Sequence, residues 1–166
     1  MPTAAAQLYE QDFVRWAETQ ADALRDAARS GANLPLDWDN LIEEVESLAR
    51  SERRELKSRL ATVIEHLLKL EHSPAARPRA GWIETVIRER GEIERLLEDS
   101  PSLKAEVASM VEREKRRVAS SAFKALKAHG EVNQAVLTKV QGAHYEADQV
   151  LGDWLPEPPG SGAPSL

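Results

Sequence analysis

Apolar positions along the chain recur at steps of three and four, and the longest such run, Asp37 to Leu70, organises the rest. Leu41, Ile42, Val45, Leu48, Ala49, Leu56, Leu60, Val63, Leu67 and Leu70 share one face of a single long helix. Asp37, Asp39 and Asn40 offer side-chain oxygens to its first free N–H groups, and Asn40 with Glu43 has capping-box spacing. Ile64 and Leu68 widen the stripe near the end, so the last turns are expected to be buried on more than one side. Tyr9, Phe13, Trp16, Ala17, Gln20, Leu24 and Ala28 form an earlier stripe. That helix is expected from about Leu8 or Asp12 to Ser30, with Asp12 able to cap it and Gly31 at the left-handed position after its end.

Beyond the long helix, HSPAARPRAG (residues 72 to 81) breaks the pattern with two prolines and a glycine, leaving Arg77 and Arg79 on a connector where the usual fate of an arginine is solvation. A third helix carries Trp82, Ile83, Val86, Ile87, Ile93, Leu96 and Leu97. Ser100 and Pro101 have the cap-then-proline order of a helix start, and a fourth helix then buries Leu103, Val107, Met110, Val111, Val118, Ala122 and Leu126 before His129 and Gly130. Val132 to Val140 and Tyr145 to Leu155 predict short closing helices, and PEPPGSGAPSL has the composition of a disordered tail. No period-two run predicts a strand. The expectation is all-α: one domain over residues 1–155, a bundle of four main helices with a short C-terminal helical cap, and a tail over 156–166.

Three polar residues interrupt the long stripe. Glu52, Arg59 and His66 lie seven apart and point roughly where the apolar residues point. Arg90 sits inside the third helix's apolar set and is a candidate partner for Glu52. Two readings stay open: stems packed with tips reaching water, or a buried polar seam serving specificity or a ligand site. A second candidate is a basic stripe on the fourth helix, made of Arg113, Arg116, Arg117, Lys124 and Lys127. No aromatics interleave it to stack bases, so nucleic-acid binding is not expected.

The blocks DF at Asp12 and Phe13 with Trp16, LIEEVESLARSERRELKSRL, HLLKLEH, and GW with IRERGEIERLLEDSPSL occur in fixed order, and together they resemble the bacterial domain-of-unknown-function family 29. The resemblance is close over residues 9 to 110 and looser beyond, where the family pattern carries a proline- and cysteine-containing segment and this chain reads HGEVNQAVLTKVQGAHYEADQVLGDWLPEP. It implies an all-helical intracellular protein and brings no catalytic residue with it.

Composition narrows the chemistry. With no cysteine, thiolate catalysis, cysteine metal sites and disulfides are excluded, and a cytoplasmic setting is expected. The start, MPTAAAQLYEQDF, lacks a basic n-region, and no segment has the apolar length of a membrane span. A net charge of −6 argues against a general nucleic-acid binder. Aromatic residues are only 5% of the chain, but four are tryptophans, each an expected anchor between elements. The Glu-x-x-His spacing of a di-iron bundle is absent: Val63, Lys69, Leu126 and Gln141 precede the four histidines by three. Glu52 and His66 lie about 21 Å apart along one helix. No metal, cofactor, serine elbow or phosphate loop is therefore expected, and the first expectation is a protein-interaction or assembly module. A homodimer through Ile64 and Leu68, or another protein, is the expected partner; a ligand or metal site on the seam is the alternative.

Overall fold

The computed structural model describes residue 1, residues 3–128 and residues 134–159. It is all-α, with no strand among the described residues. The helices are α1 (Ala4–Gln11), α2 (Phe13–Arg29), α3 (Trp38–His72), α4 (Arg79–Asp99), α5 (Val107–Ala128), α6 (Gln134–Gly142) and α7 (Ala147–Leu151), with a 3-10 turn over Pro101–Glu106. The expected stop at His129 and Gly130, Val132, and the tail from residue 160 lie outside the described residues. The chain gathers into two compact units: one of Met1–Leu56 with Glu94–Glu106, the other of Lys57–Ile93 with the chain from Val107 onward.

In the first unit the helix expected from Leu8 or Asp12 takes the Asp12 start, and a separate short helix, α1, precedes it. Asp12 stands in extended backbone (φ −162°, ψ 95°) between α1 and α2. Its carboxylate caps α2 by accepting from Arg15 N–H at 3.0 Å. The same carboxylate accepts from the Ser102 backbone N–H at 2.7 Å and hydroxyl at 2.9 Å. Ser100, expected to cap a helix, instead accepts from Val14 N–H at 3.3 Å. With both serines spent on α2, the residues after Pro101 form a tight 3-10 turn before α5 begins at Val107. At the other end of α2, Gly31 takes φ 74° as expected. Gly31 N–H reaches Ala28 O and Ala32 N–H reaches Ala27 O, which together make a Schellman motif. Asp37 supplies the cap of α3, accepting from the N–H of Asn40 at 3.3 Å and from its side-chain amide at 2.6 Å.

The second unit holds the densest core. Leu60, Val63, Ile64, Leu67, Leu68 and Leu70 of α3 are at most 1% exposed. Each large aliphatic side chain so buried contributes about 1.5–3 kcal/mol. Val86 and Ile93 of α4, Met110, Val111 and Ala122 of α5, Val140 of α6 and Val150 of α7 are buried in the same unit. Two arginines close its chain ends. Arg79 donates to Leu70 O at 2.7 Å and Pro156 O at 3.3 Å, satisfying a carbonyl in the last turn of α3 that has no intrahelical partner. Arg90 donates to Gln149 O (2.7 Å), Val150 O (2.8 Å) and Trp154 O (2.7 Å), tying down α7 and the residues after it. Burial pulls the Arg90 guanidinium below its ordinary value, partly offset by Asp153.

Candidate functional site

The long stripe of α3 is covered unevenly. Ile64 and Leu68, expected to be left bare for a homodimer, are both 0% exposed within the single chain. That corrects the expectation, because the helices of the second unit bury them with the rest of the stripe. Of the stripe on α3, the uncovered residues lie in the first unit, where Leu41 is 36% and Leu48 37% exposed. Val45, half-buried, joins them into one strip by helical spacing. Leu34 and Leu36, also exposed, lie in the link just before α3.

One turn beyond Leu48 the same face of α3 carries Glu52, which enters a cleft of about 280 Å³ lined by Tyr9, Glu10, Phe13, Glu52 and Asp99. The capped start of α2 fixes Phe13, and α1 brings Tyr9 and Glu10 beside it. Tyr9 and Phe13 line the cleft, and Trp16 packs against both. Phe13 stacks on Trp16 with centroids 5.7 Å apart, and Tyr9 meets Trp16 edge-on at 4.8 Å. Among the described residues Glu10, Glu52 and Asp99 make no hydrogen bond or ion pair. Burial, then the charges of Glu55 and Asp99, pushes the Glu52 carboxyl above the ordinary carboxylate range.

The other seam residues belong to the second unit and each has its own partner. Arg59 donates to Glu89 at 2.9 Å in a pair whose side chains are 25% and 13% exposed, with Glu92 at 3.9 Å. His66 donates its Nδ1–H to Thr62 O, one turn back, at 2.8 Å. Arg90 turns to the three carbonyls described above.

A larger cleft of about 400 Å³ lies over Ala21 and Ala49, but its charges are balanced. Arg53 binds Glu18 and Glu106, Arg25 binds Asp22 and Glu46, and Arg50 binds Glu43 and Glu46. An anion there would have to displace carboxylates already in place. On α5, Arg113, Arg116, Arg117, Lys124 and Lys127 are all exposed. Arg113 is held to Ser109 of its own helix and Arg117 to Glu114 at 2.6 Å. In the second unit the Tyr145 hydroxyl donates to Glu71, and His72 Nε2 is buried without a hydrogen-bond partner. Burial holds that imidazole below its ordinary value, against the pull of Glu71. No three His, Asp or Glu side chains among the described residues are placed to hold a metal ion.

Sequence reasoning missed Tyr9, Glu10 and Asp99 as parts of one cleft. The only signal was the four- and three-residue spacing of Tyr9, Phe13 and Trp16, which reads equally well as core packing.

The first fixed points of classification are the fold and these blocks. Residues 8–155 match the family described as Domain of unknown function DUF29, and the chain belongs to that family. A solved relative is an α-helical protein of unknown function from Rhodospirillum rubrum ATCC 11170, 32% identical, with a TM-score of 0.72 over 87% of this chain and 89% of that one. No curated protein matches the chain. No described helix is long and apolar enough to cross a membrane.

Proposed function

We propose that this is a cytoplasmic protein-interaction module that meets its partner on the exposed strip of α3 in the first unit. The observation that carries the reading is the partial exposure of Leu41 and Leu48 on a helix whose later turns are sealed. Leaving two leucines of one helical strip in water forfeits burial energy that a partner surface recovers. The charge around the strip argues for a partner other than a second copy. Asp37, Glu44, Glu52 and Glu55 flank it at helical spacing, so two such faces would repel. The absence of cysteine suits a reducing compartment.

The test is photo-crosslinking in the protein's own host, with p-benzoylphenylalanine replacing Glu44 beside the strip or Lys124 on the basic stripe. The expected result is a discrete adduct from position 44 and none from 124. An adduct of twice the chain mass would make the assembly a homodimer, and absence of any adduct at 44 would overturn the reading.

A further inference from the structure

We infer that Tyr145, Glu71 and His72 form an acid-released latch, which holds α6 and residues 143–146 against the end of α3 while His72 is neutral and lets them go when it takes a proton.

The clasp is one carboxylate oxygen. Tyr145 is buried in the link between α6 and α7, and its hydroxyl donates to Glu71 Oε2 in the last turn of α3. His72 Nε2 stands 3.8 Å from the same oxygen, too far to bond, and is buried without a hydrogen-bond partner among the described residues. The imidazole is 9% exposed, so it is closed off from water as well as unpaired. Burial and the Glu71 carboxylate hold the Tyr145 phenol far above its ordinary range, so its hydroxyl stays a donor.

A proton on His72 upsets this arrangement. Whichever nitrogen carried the hydrogen before, Nε2 is then an N–H donor with positive charge 3.8 Å from Oε2, and it competes with the Tyr145 hydroxyl for the carboxylate. The other charges around it, among the described residues, give no help. On α3, Lys69 is paired with Glu65; at the start of α4, Arg79 is spent on Leu70 O and Pro156 O; on α6, Lys139 repels an imidazolium. Glu112 and Lys115 of α5 surround His144 with Glu146, on the exposed side of the Tyr145 link. The closed form therefore holds the proton poorly, through burial above all, whereas an opened form gives it water.

Fixed ties bound the part that moves. Arg90 holds the carbonyls of Gln149, Val150 and Trp154, and Arg79 that of Pro156. A guanidinium does not titrate between pH 5 and 8, so α7 and the residues after it stay in place. α6 and residues 143–146 are left to open, turning the buried Val140 and Tyr145 towards water.

The experiment follows amide hydrogen exchange of the full chain at pH 7.5 and pH 5.5, each rate divided by that of the unfolded peptide at the same pH. The amides of residues 138–142 and 144–146 are the reporters. Their opening should rise about tenfold between the two pH values, the ratio set by an exposed imidazole of pKa about 6.5. The rise should vanish in His72→Phe and in His72→Gln, neither of which takes a proton, and one folded variant of the two suffices. His144→Gln should leave the ratio intact. Tyr145→Phe should open the reporters about tenfold already at pH 7.5, the scale of one hydrogen bond to a charged acceptor. Reporters indifferent to pH, a rise that persists without His72, or exchange of the reporters only together with the buried turns of α3 would overturn the latch. Unchanged exchange in Tyr145→Phe would overturn it as well.

Discussion

Glu52 of α3 and Asp99, the last residue of α4, line the same cleft, and after burial and Glu55 the charge of Asp99 adds to the cost of ionising Glu52. The relationship has consequences for stability that do not depend on any ligand.

The first concerns Glu52 itself. Its carboxyl is raised from an ordinary 4.5, so the folded state holds the proton more tightly than the unfolded chain does. Protons bound in excess by the folded state make stability fall as pH rises through that window. Glu52→Gln should therefore raise the urea midpoint at pH 7, and the difference from the parent should vanish well below the ordinary carboxylate value. A variant less stable than the parent at pH 7 would mean that the carboxylate has a stabilising partner after all.

His72 gives the opposite slope. Its imidazole is lowered from 6.5 chiefly by burial, opposed by Glu71 and reinforced by Lys139. The unfolded chain takes the proton first, so stability is lost as pH falls below about 6.5 towards the folded value. Urea unfolding at pH 7.5 and pH 5.5 should show this loss, and His72→Phe should flatten the part of it that His72 owns. An imidazole titrating above 6.5 by NMR would reverse the sign.

Arg90 makes three charge-assisted bonds to backbone carbonyls of the closing segment. Arg90→Met keeps the stem and removes the donors, at an expected cost of about 2 kcal/mol. Hydrogen exchange should quicken first at the amides of residues 149 to 152. Uniform acceleration across α5 and α3 would point instead to a global role.

Asp12 is the hub of the first unit. Asp12→Ala removes a cap and two bonds from Ser102, an expected loss of about 3 kcal/mol. Asp12→Asn retains an acceptor and should lose clearly less. Equal losses would show that the charge, not the geometry, is what Ser102 and Arg15 require.

These residues also explain what the sequence could disclose. Helix ends written in local chemistry were legible: Gly31 in left-handed backbone and Asp37 at the start of α3 stand where capping rules put them. Asp12 as a helix start was legible as well, but the short helix before it and the bonds its carboxylate accepts from Ser102, far along the chain, were not. Arg90 could be matched to a carboxylate by type, whereas carbonyl partners have no side-chain signature. The stripe of α3 was correctly drawn, but periodicity does not say which turns other helices reach. Ile64 and Leu68 are covered while Leu41 and Leu48 are not, and only packing decides that. The cleft was illegible for the same reason, since Tyr9, Glu52 and Asp99 meet only once α1, α3 and the end of α4 are assembled in the first unit.

The most direct test of the central claim replaces Leu41 and Leu48 together by aspartate in the chain carrying the photoreactive residue at position 44. Each leucine is just over a third exposed, so losing the buried part of both should cost the fold about 2–4 kcal/mol, while the discrete adduct disappears from the folded protein. An adduct that survives the substitution, or unfolding that takes stability down by several times that amount, would contradict the account: the first would place the partner elsewhere, and the second would make the strip part of the core.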